Sequence, residues 1–547
     1  MKKINIKSLQ YSTKYLALCV AIANASICYG QAPEAEMKII STPDKVVSKL
    51  GELKFKDGMP DAATTQKLYD ELDYHHALNA YMNGLAAVNQ LSLRKGFQKA
   101  GIKDNEVLLS PQFMDFKGMF LTANADTYYM WTYLDLSKGP VVVEPAPGTL
   151  GIFDDMWWKW ISDAGLAGAD RGEGGSKYLV LPPGYKGAVP EGGYFICRSN
   201  TWQCSFLSRA FLKSDNDPKT IDDIVRKTLK IYPYVPGGVG SSVASYLGGQ
   251  GTLGQLSTPA SPKFIDATGK VINTVPPNDF SYFEMLNEVI QTQPVESADP
   301  EILGQCAAIG ILKGKPFNPD ARMKKIMNDA VTVGSATLRA ISFNGRTSEE
   351  FLYYGGSSKW FNPLFVGGYS WNVPPPEITK EGVKAAFNDG ANKINARNSF
   401  FYWVTGITPA MCMRLENIGS QYVAAAQDIN GNYFDGGKTY KVVLPANIPA
   451  ARFWSFTLYD NQTRSMLETP QRYPRAGSQT YPSPAAKANA DGSTTIYMAP
   501  KQPAGVDRGN WIQTTSGKGW FTLFRLYSPL KPFFDKTWKP GEFEEVK

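Results

Sequence analysis

The chain has 547 residues, 43% hydrophobic, 20% charged and 12% aromatic, with 57 Lys plus Arg against 50 Asp plus Glu and a formal charge of +7. At roughly 100–200 residues per domain this is two to four domains, and the length and apolar content exclude both a disulfide-stapled mini-protein and a disordered chain. With 50 Gly, 37 Pro, 28 Tyr, 28 Phe and 12 Trp, the composition is that of a turn-rich, largely β protein.

Lys2, Lys3, Lys7 and Lys14 precede an apolar run from Tyr15 to Ile27 and small residues ending at Gly30. A basic start, an apolar stretch too short to span a bilayer and a small residue at the end predict a signal peptide over residues 1–30, with a short anchor as the alternative. The expected mature protein is exported, periplasmic or secreted, with no stable membrane span. Residues 1–30 hold four lysines and no acid, so cleavage lowers the charge from +7 to +3. Without a Lys/Arg block there is no electrostatic footprint for nucleic acid. Cys197, Cys204, Cys306 and Cys412 follow the signal. An export compartment permits disulfides, a Cys197–Cys204 bridge among them, but three full pairings stay open. The only histidines are the adjacent His75 and His76 and no C-x-x-C occurs, which argues against a Cys/His zinc site. No metal and no cofactor is expected.

After an N-terminal segment, residues 31–105 are expected to end in a helix over Ala63–Gly101, with Tyr74, Leu78, Tyr81, Leu85 and Val88 at 3.6-residue spacing. Residues 106–215 read as an antiparallel β module. Short β-prone runs occupy Tyr128–Leu134, Val141–Glu144, Tyr178–Leu181, Tyr194–Arg198 and Cys204–Ser208, with turn signals between them. Residues 216–398 form a mixed helical bridge, whose clearest helix starts at Asn318-Pro319. Within it Gly249, Gly251 and Gly254 match G-x-G-x-x-G, but no strand precedes and no helix follows, so no dinucleotide site is read there. Residues 399–547 read as a second, sandwich-like β module, with Trp454, Phe456 and Leu458 on one strand face and Phe453, Ser455, Thr457 and Tyr459 on the other. The fold class is α+β, mostly antiparallel β: two β-sandwich-like modules bridged by a helical middle region.

Specific strings go further. Asn124-Ala125-Asp126-Thr127-Tyr128, Leu134 to Pro140, Phe153-Asp154-Asp155-Met156-Trp157 and Gly172 to Leu179 in the first module, with Phe453-Trp454-Ser455, Tyr459 to Leu467, Asn489 to Ser493, Asn510-Trp511 and Arg525-Leu526-Tyr527 in the second, resemble a bacterial family. Its members pair two domains of unknown function, numbered twelve fifty-four and twelve fourteen, and are often labelled cell-envelope proteins. The resemblance implies two β-rich modules bridged by helices, export and homo-oligomerisation. It supplies no reaction.

Any catalysis then rests on carboxylates, tyrosines and arginines. The densest group joins Asn124, Asp126, Thr127 and Tyr128 to Asp154, Asp155, Trp157, Trp160 and Asp163. Asp126, Tyr128, Asp154 and Asp155 are the candidate catalytic residues, because paired carboxylates can divide acid and base roles when their surroundings separate them. Asn124, Trp157 and Trp160 are candidate binders, the tryptophans as stacking surfaces for a saccharide or other flat small molecule. Arg464 and Arg525 join them, since a guanidinium fork suits carboxylate or phosphate. The same residues also serve as turn caps, helix starts and core, and Arg525 as half of a buried ion pair with Asp460 or Glu468. Asp428, Asn430, Asn432 and Asp435 imitate the start of a calcium loop, but Tyr433 and Thr439 break the pattern and a double hairpin turn accounts for them. The expected function is a hydrolase or lyase on a polar sugar-like or aromatic substrate, the alternative a non-catalytic envelope protein for ligand binding or assembly.

Overall fold

The computed structural model describes residues 34–213, 216–236, 238, 243–249, 259–344, 352–362, 377–379, 382–384, 394–408, 411 and 415–547. The expected signal segment, Gly251 and Gly254 of the glycine motif, and Cys412 lie outside the described residues. Two compact units are present, one ending at Asp73 and one from Tyr74 to Lys547. The first contains an antiparallel meander of Lys45–Ser48, Gly51–Lys56 and Met59–Pro60. It also begins the helix Ala62–Asn83, where the Asp61 carboxylate accepts the Thr64 N–H at 2.7 Å, satisfying one of the donors a helix start leaves open.

In the second unit the long helical stretch is interrupted at Gly84 and resumes as Leu85–Lys99. A Cβ at Gly84 would lie 2.6 Å from the Ala80 carbonyl and 2.9 Å from Leu286, so glycine lets the helix Ser281–Thr292 pack close. Helix Ala321–Phe343 starts two residues after the expected Pro319. Asp320 is its cap, accepting the Met323 N–H at 2.7 Å.

The first β module faces a six-stranded sheet against a four-stranded one. The order in the former is Phe264–Asp266, Val107–Leu109, Tyr128–Asp135, Gln203–Ala210, Leu150–Asp155, Trp160–Gly165; in the latter it is Phe195–Arg198, Tyr178–Leu181, Val141–Glu144, Lys230–Pro233. Tyr128, Met130, Leu134, Phe153 and Phe206 meet Val141, Val143, Tyr178 and Val180 between them. Two pairings are parallel, Tyr178–Leu181 with Phe195–Arg198 and Phe264–Asp266 with Val107–Leu109, so the module is not wholly antiparallel. Cys197 and Cys204 sit in different sheets and are free thiols, as is Cys306.

The second module repeats the plan. Ser420–Ala425, Trp520–Pro529, Ala450–Asp460 and Arg475–Gly477 form one sheet, and Trp511–Gln513, Thr494–Ala499, Thr439–Leu444 and Glu544–Val546 the other. Trp454, Phe456, Leu458, Phe524 and Leu526 meet Val442, Ile496 and Met498 in its core. The α+β, mostly antiparallel expectation is met. What strand alternation does not foresee is that the opposite faces are covered too: Tyr129, Trp131 and Leu207 from the first module join Tyr422, Tyr459 and Leu523 from the second in one shared apolar cluster.

Candidate functional site

The two modules do not close completely over that shared cluster. A cavity with about 960 Å³ of atom-free space, its opening to solvent included, lies where the Tyr128–Asp135, Gln203–Ala210 and Leu150–Asp155 strands approach Ser420–Ala425 and Trp520–Pro529. The segment 404–408 forms another wall. Gly406 there has φ +86°, a conformation that favours glycine, and a Cβ would press to 3.1 Å from Ile152. The lining is mostly apolar, with Phe120, Trp131, Ile152, Leu207 and Leu523 prominent, and its charged members among the described residues are Arg209, Arg525 and Asp163.

Arg525 comes from the second module, between Tyr422 and Ser455 on neighbouring strands. It is 3% exposed. One terminal nitrogen, Nη2, donates to the Thr122 carbonyl at 2.6 Å, while Nη1 is buried without an acceptor. The Tyr422 and Tyr459 rings flank the guanidinium at 5.3 and 5.6 Å. Arg209 comes from the first module, opposite Tyr129 and Leu150. Neither arginine forms an ion pair with a described carboxylate.

Asp163 occupies the strand Trp160–Gly165. Its Oδ1 accepts the Thr408 hydroxyl at 2.5 Å. Burial pushes its pKa up to about 7, against the opposing pull of the Thr408 hydroxyl. Behind Gly406, the Asp154 carboxylate accepts the Ile407 N–H at 3.1 Å through Oδ2, and its Oδ1 is buried without a donor. Burial raises Asp154 well above the ordinary carboxylate range. The 404–408 segment is therefore held by two acids of the first module.

Family models for a "protein of unknown function" match twice, DUF1254 over residues 105–233 and DUF1214 over 419–531. The chain carries both of these paired domains. Among solved structures, the VPA0106 protein from Vibrio parahaemolyticus is 19% identical with a TM-score of 0.50, the alignment covering 87% of this chain and 100% of that one. The likeness is one of fold. An uncharacterized protein from Burkholderia cenocepacia is 12% identical with a TM-score of 0.35, covering 89% of this chain and 97% of its own. No curated protein gives a significant match.

The DUF1254 and DUF1214 regions thus each supply one arginine to the cavity, and the acid belongs to DUF1254. Of the residues singled out from sequence, Asn124, Asp163 and Arg525 line the cavity. Asn124 shapes its loop: Oδ1 accepts the Asp126 and Thr127 N–H groups at 2.9 and 3.1 Å, and Nδ2 donates to the Tyr129 hydroxyl at 2.7 Å. The others are not brought together with them. Asp126 is buried against the second module, bound by Arg475 Nε at 2.6 Å, Ser455 Oγ at 2.6 Å and Tyr527 Oη at 3.1 Å. Tyr128 points to the other side of its strand and donates to Asp222 at 2.5 Å. Asp155 makes a tight turn, accepting the Trp157 and Lys159 N–H groups at 2.8 and 2.9 Å; burial lifts its pKa to about 6.

Trp157 is core, its indole N–H donating to Ser297 at 3.2 Å, and Trp160 is half-buried on the Asp163 strand. Arg464 lies 3.9 Å over the Tyr402 ring and donates to the Tyr402 carbonyl at 3.0 Å, a staple between loop and helix. The partner considered for Arg525, Asp460, is taken by Lys518 at 2.9 Å. Asp428 Oδ1 accepts the Asn430 and Asn432 N–H groups, both at 2.9 Å, so the calcium-like string is built as a turn. Sequence reasoning missed Arg209, Tyr129, Tyr422 and Thr408. For Arg209 a signal existed: it follows Ser205 and Leu207 at period two, so extending that strand by one residue puts it on their face.

Proposed function

We propose that the cavity between the two modules is the active site of a small-molecule enzyme, a hydrolase or lyase, with Asp163 as the group that takes and returns the proton. The observation carrying this reading is Asp163 itself. It is a carboxyl in the wall of a largely apolar cavity, fixed on one oxygen by Thr408 and shifted to a pKa of about 7. A pKa near neutrality lets one group act as base when ionised and as acid once protonated. In hydrolysis Asp163 takes a proton from the attacking water and delivers it to the leaving atom. In elimination it takes the proton from carbon and gives it to the departing hydroxyl. Either way Asp163 ends ionised, as it began.

The test is a hydrolase and lyase substrate panel run on the protein beside Asp163→Asn. Turnover that falls at least 100-fold in the variant, with unchanged fold, supports the assignment; turnover that survives overturns it. A second reading, a non-catalytic ligand-binding protein of the cell envelope, draws on the lining. Its polar groups Asn124 and Tyr129 are bonded to each other, leaving few groups free for chemistry. Binding without turnover on any panel favours that reading.

A further inference from the structure

We infer that the ligand of this cavity is a carboxylate with an apolar body, and that Arg525 and Arg209 hold its charged end. The inference rests on the reading of the cavity as the functional site, but not on the site being catalytic. A buried guanidinium is ordinarily matched by a carboxylate, because a charge taken out of water without a counter-charge is strongly unfavourable. Arg525 has none. The carboxylate that bears on it electrostatically, Asp126, is already bound by Arg475 Nε at 2.6 Å, and Nη1 of Arg525 has no acceptor. Arg209 lines the same cavity, likewise without an ion pair to a described carboxylate. Neither arginine pairs with Asp163, the one described acid in the lining.

Two cations from facing modules, both bordering Tyr422, thus share a hollow whose apolar lining includes Trp131, Ile152, Leu207 and Leu523. An anion entering there offsets the charge, and its hydrocarbon part covers the apolar wall. A carboxylate suits the site better than a phosphate. It is planar, carries a single charge and takes the parallel N–H pair of a guanidinium. A phosphate monoester brings close to two charges and a third oxygen, for which the described lining offers no lysine.

The experiment is titration calorimetry at pH 7.5 with 4-phenylbutyrate and octanoate, each beside its neutral amide, and with phenylphosphonate. At least one carboxylate is expected to bind ten times or more tighter than its amide and tighter than the phosphonate. Arg209→Gln is expected to bring the carboxylate down to the amide level with an unchanged melting curve. Arg525→Lys, which keeps the charge and removes the fork, should weaken it as well. Equal binding of acid and amide, no effect of Arg209→Gln, or no binding of any probe overturns the inference, and a preference for phosphonate overturns the carboxylate. The substrate panel separates the two proposals: carboxylate binding by an unmutated protein that turns over no panel substrate, or turnover that survives Asp163→Asn, sinks the enzymatic reading of Asp163 while the carboxylate inference stands on its own titrations.

Discussion

Arg475 and Arg525 enter from the same sheet of the second module and reach toward the first, yet they meet opposite surroundings. Arg475 is fully buried and meets Asp126, with Ser455 and Tyr527 completing the carboxylate's bonds. Its Nη1 donates to Ser483 at 3.0 Å, and its Nη2, which has no acceptor, packs so closely that a Cβ on Gly477 would lie 2.6 Å away. That corner is solid. Arg525 also has one nitrogen without an acceptor among the described residues, but it meets no described carboxylate and borders the cavity. The contrast distinguishes a charge whose counter-ion is part of the fold from one whose counter-ion has to arrive from outside.

The largest expected effect is at the solid corner. Arg475→Met leaves Asp126 buried without its cation and should cost about 3–5 kcal/mol in denaturant unfolding. A loss below about 1 kcal/mol would break the comparison, because the pair would then not join the modules.

Asp163 sharpens the hollow side through pH. Its folded carboxyl keeps its proton up to about pH 7, whereas the ordinary value is 3.8. Between these values the folded state binds more protons than the unfolded chain, so this group's contribution to stability declines as pH rises through the window and levels off above it. Unfolding free energies at pH 4 and 7.5 should therefore show Asp163→Asn gaining on the parent, by up to about 1.4 kcal/mol per pH unit crossed.

Arg525→Met should be mild by comparison. It gives up the bond to the Thr122 carbonyl, about 1.5 kcal/mol or less, and relieves an unpaired charge. A loss equal to that of Arg475→Met would place both arginines in the structural class. The smallest effect is at Thr408. Replacing it by Val removes a donor to Asp163, so the Asp163 titration followed by carboxyl NMR should move upward, by less than about one unit.

Much of the β architecture was legible. Val141–Glu144 and Tyr178–Leu181 have the bounds that their β-prone runs predict, and the period-2 division of Phe453 to Tyr459 matches its two observed faces. Local periodicity carries this information because strand side chains alternate whatever they pack against. Spacing alone predicts a helix over 63–101 without its interruption, since the reason for Gly84 is Leu286, some two hundred residues away. The candidate site was legible only in part. Asn124, Asp163 and Arg525 line the cavity, but Asp126 and Tyr128, two residues apart, go to a buried ion pair and to Asp222. Density of polar residues along the chain says nothing about which of them a partner will neutralise.

The sequence by itself determined the strand and turn content, the α+β class and the pair of domains, because these depend on residue spacing and local strings. Only the tertiary structure decided which buried charges are satisfied. Asp126 finds Arg475 across 349 positions, while Arg525 and Arg209 line one cavity and pair with no described carboxylate. The physical reason is that a buried charge's free energy is set by the groups within a few ångströms of it, and here those groups come from the other module.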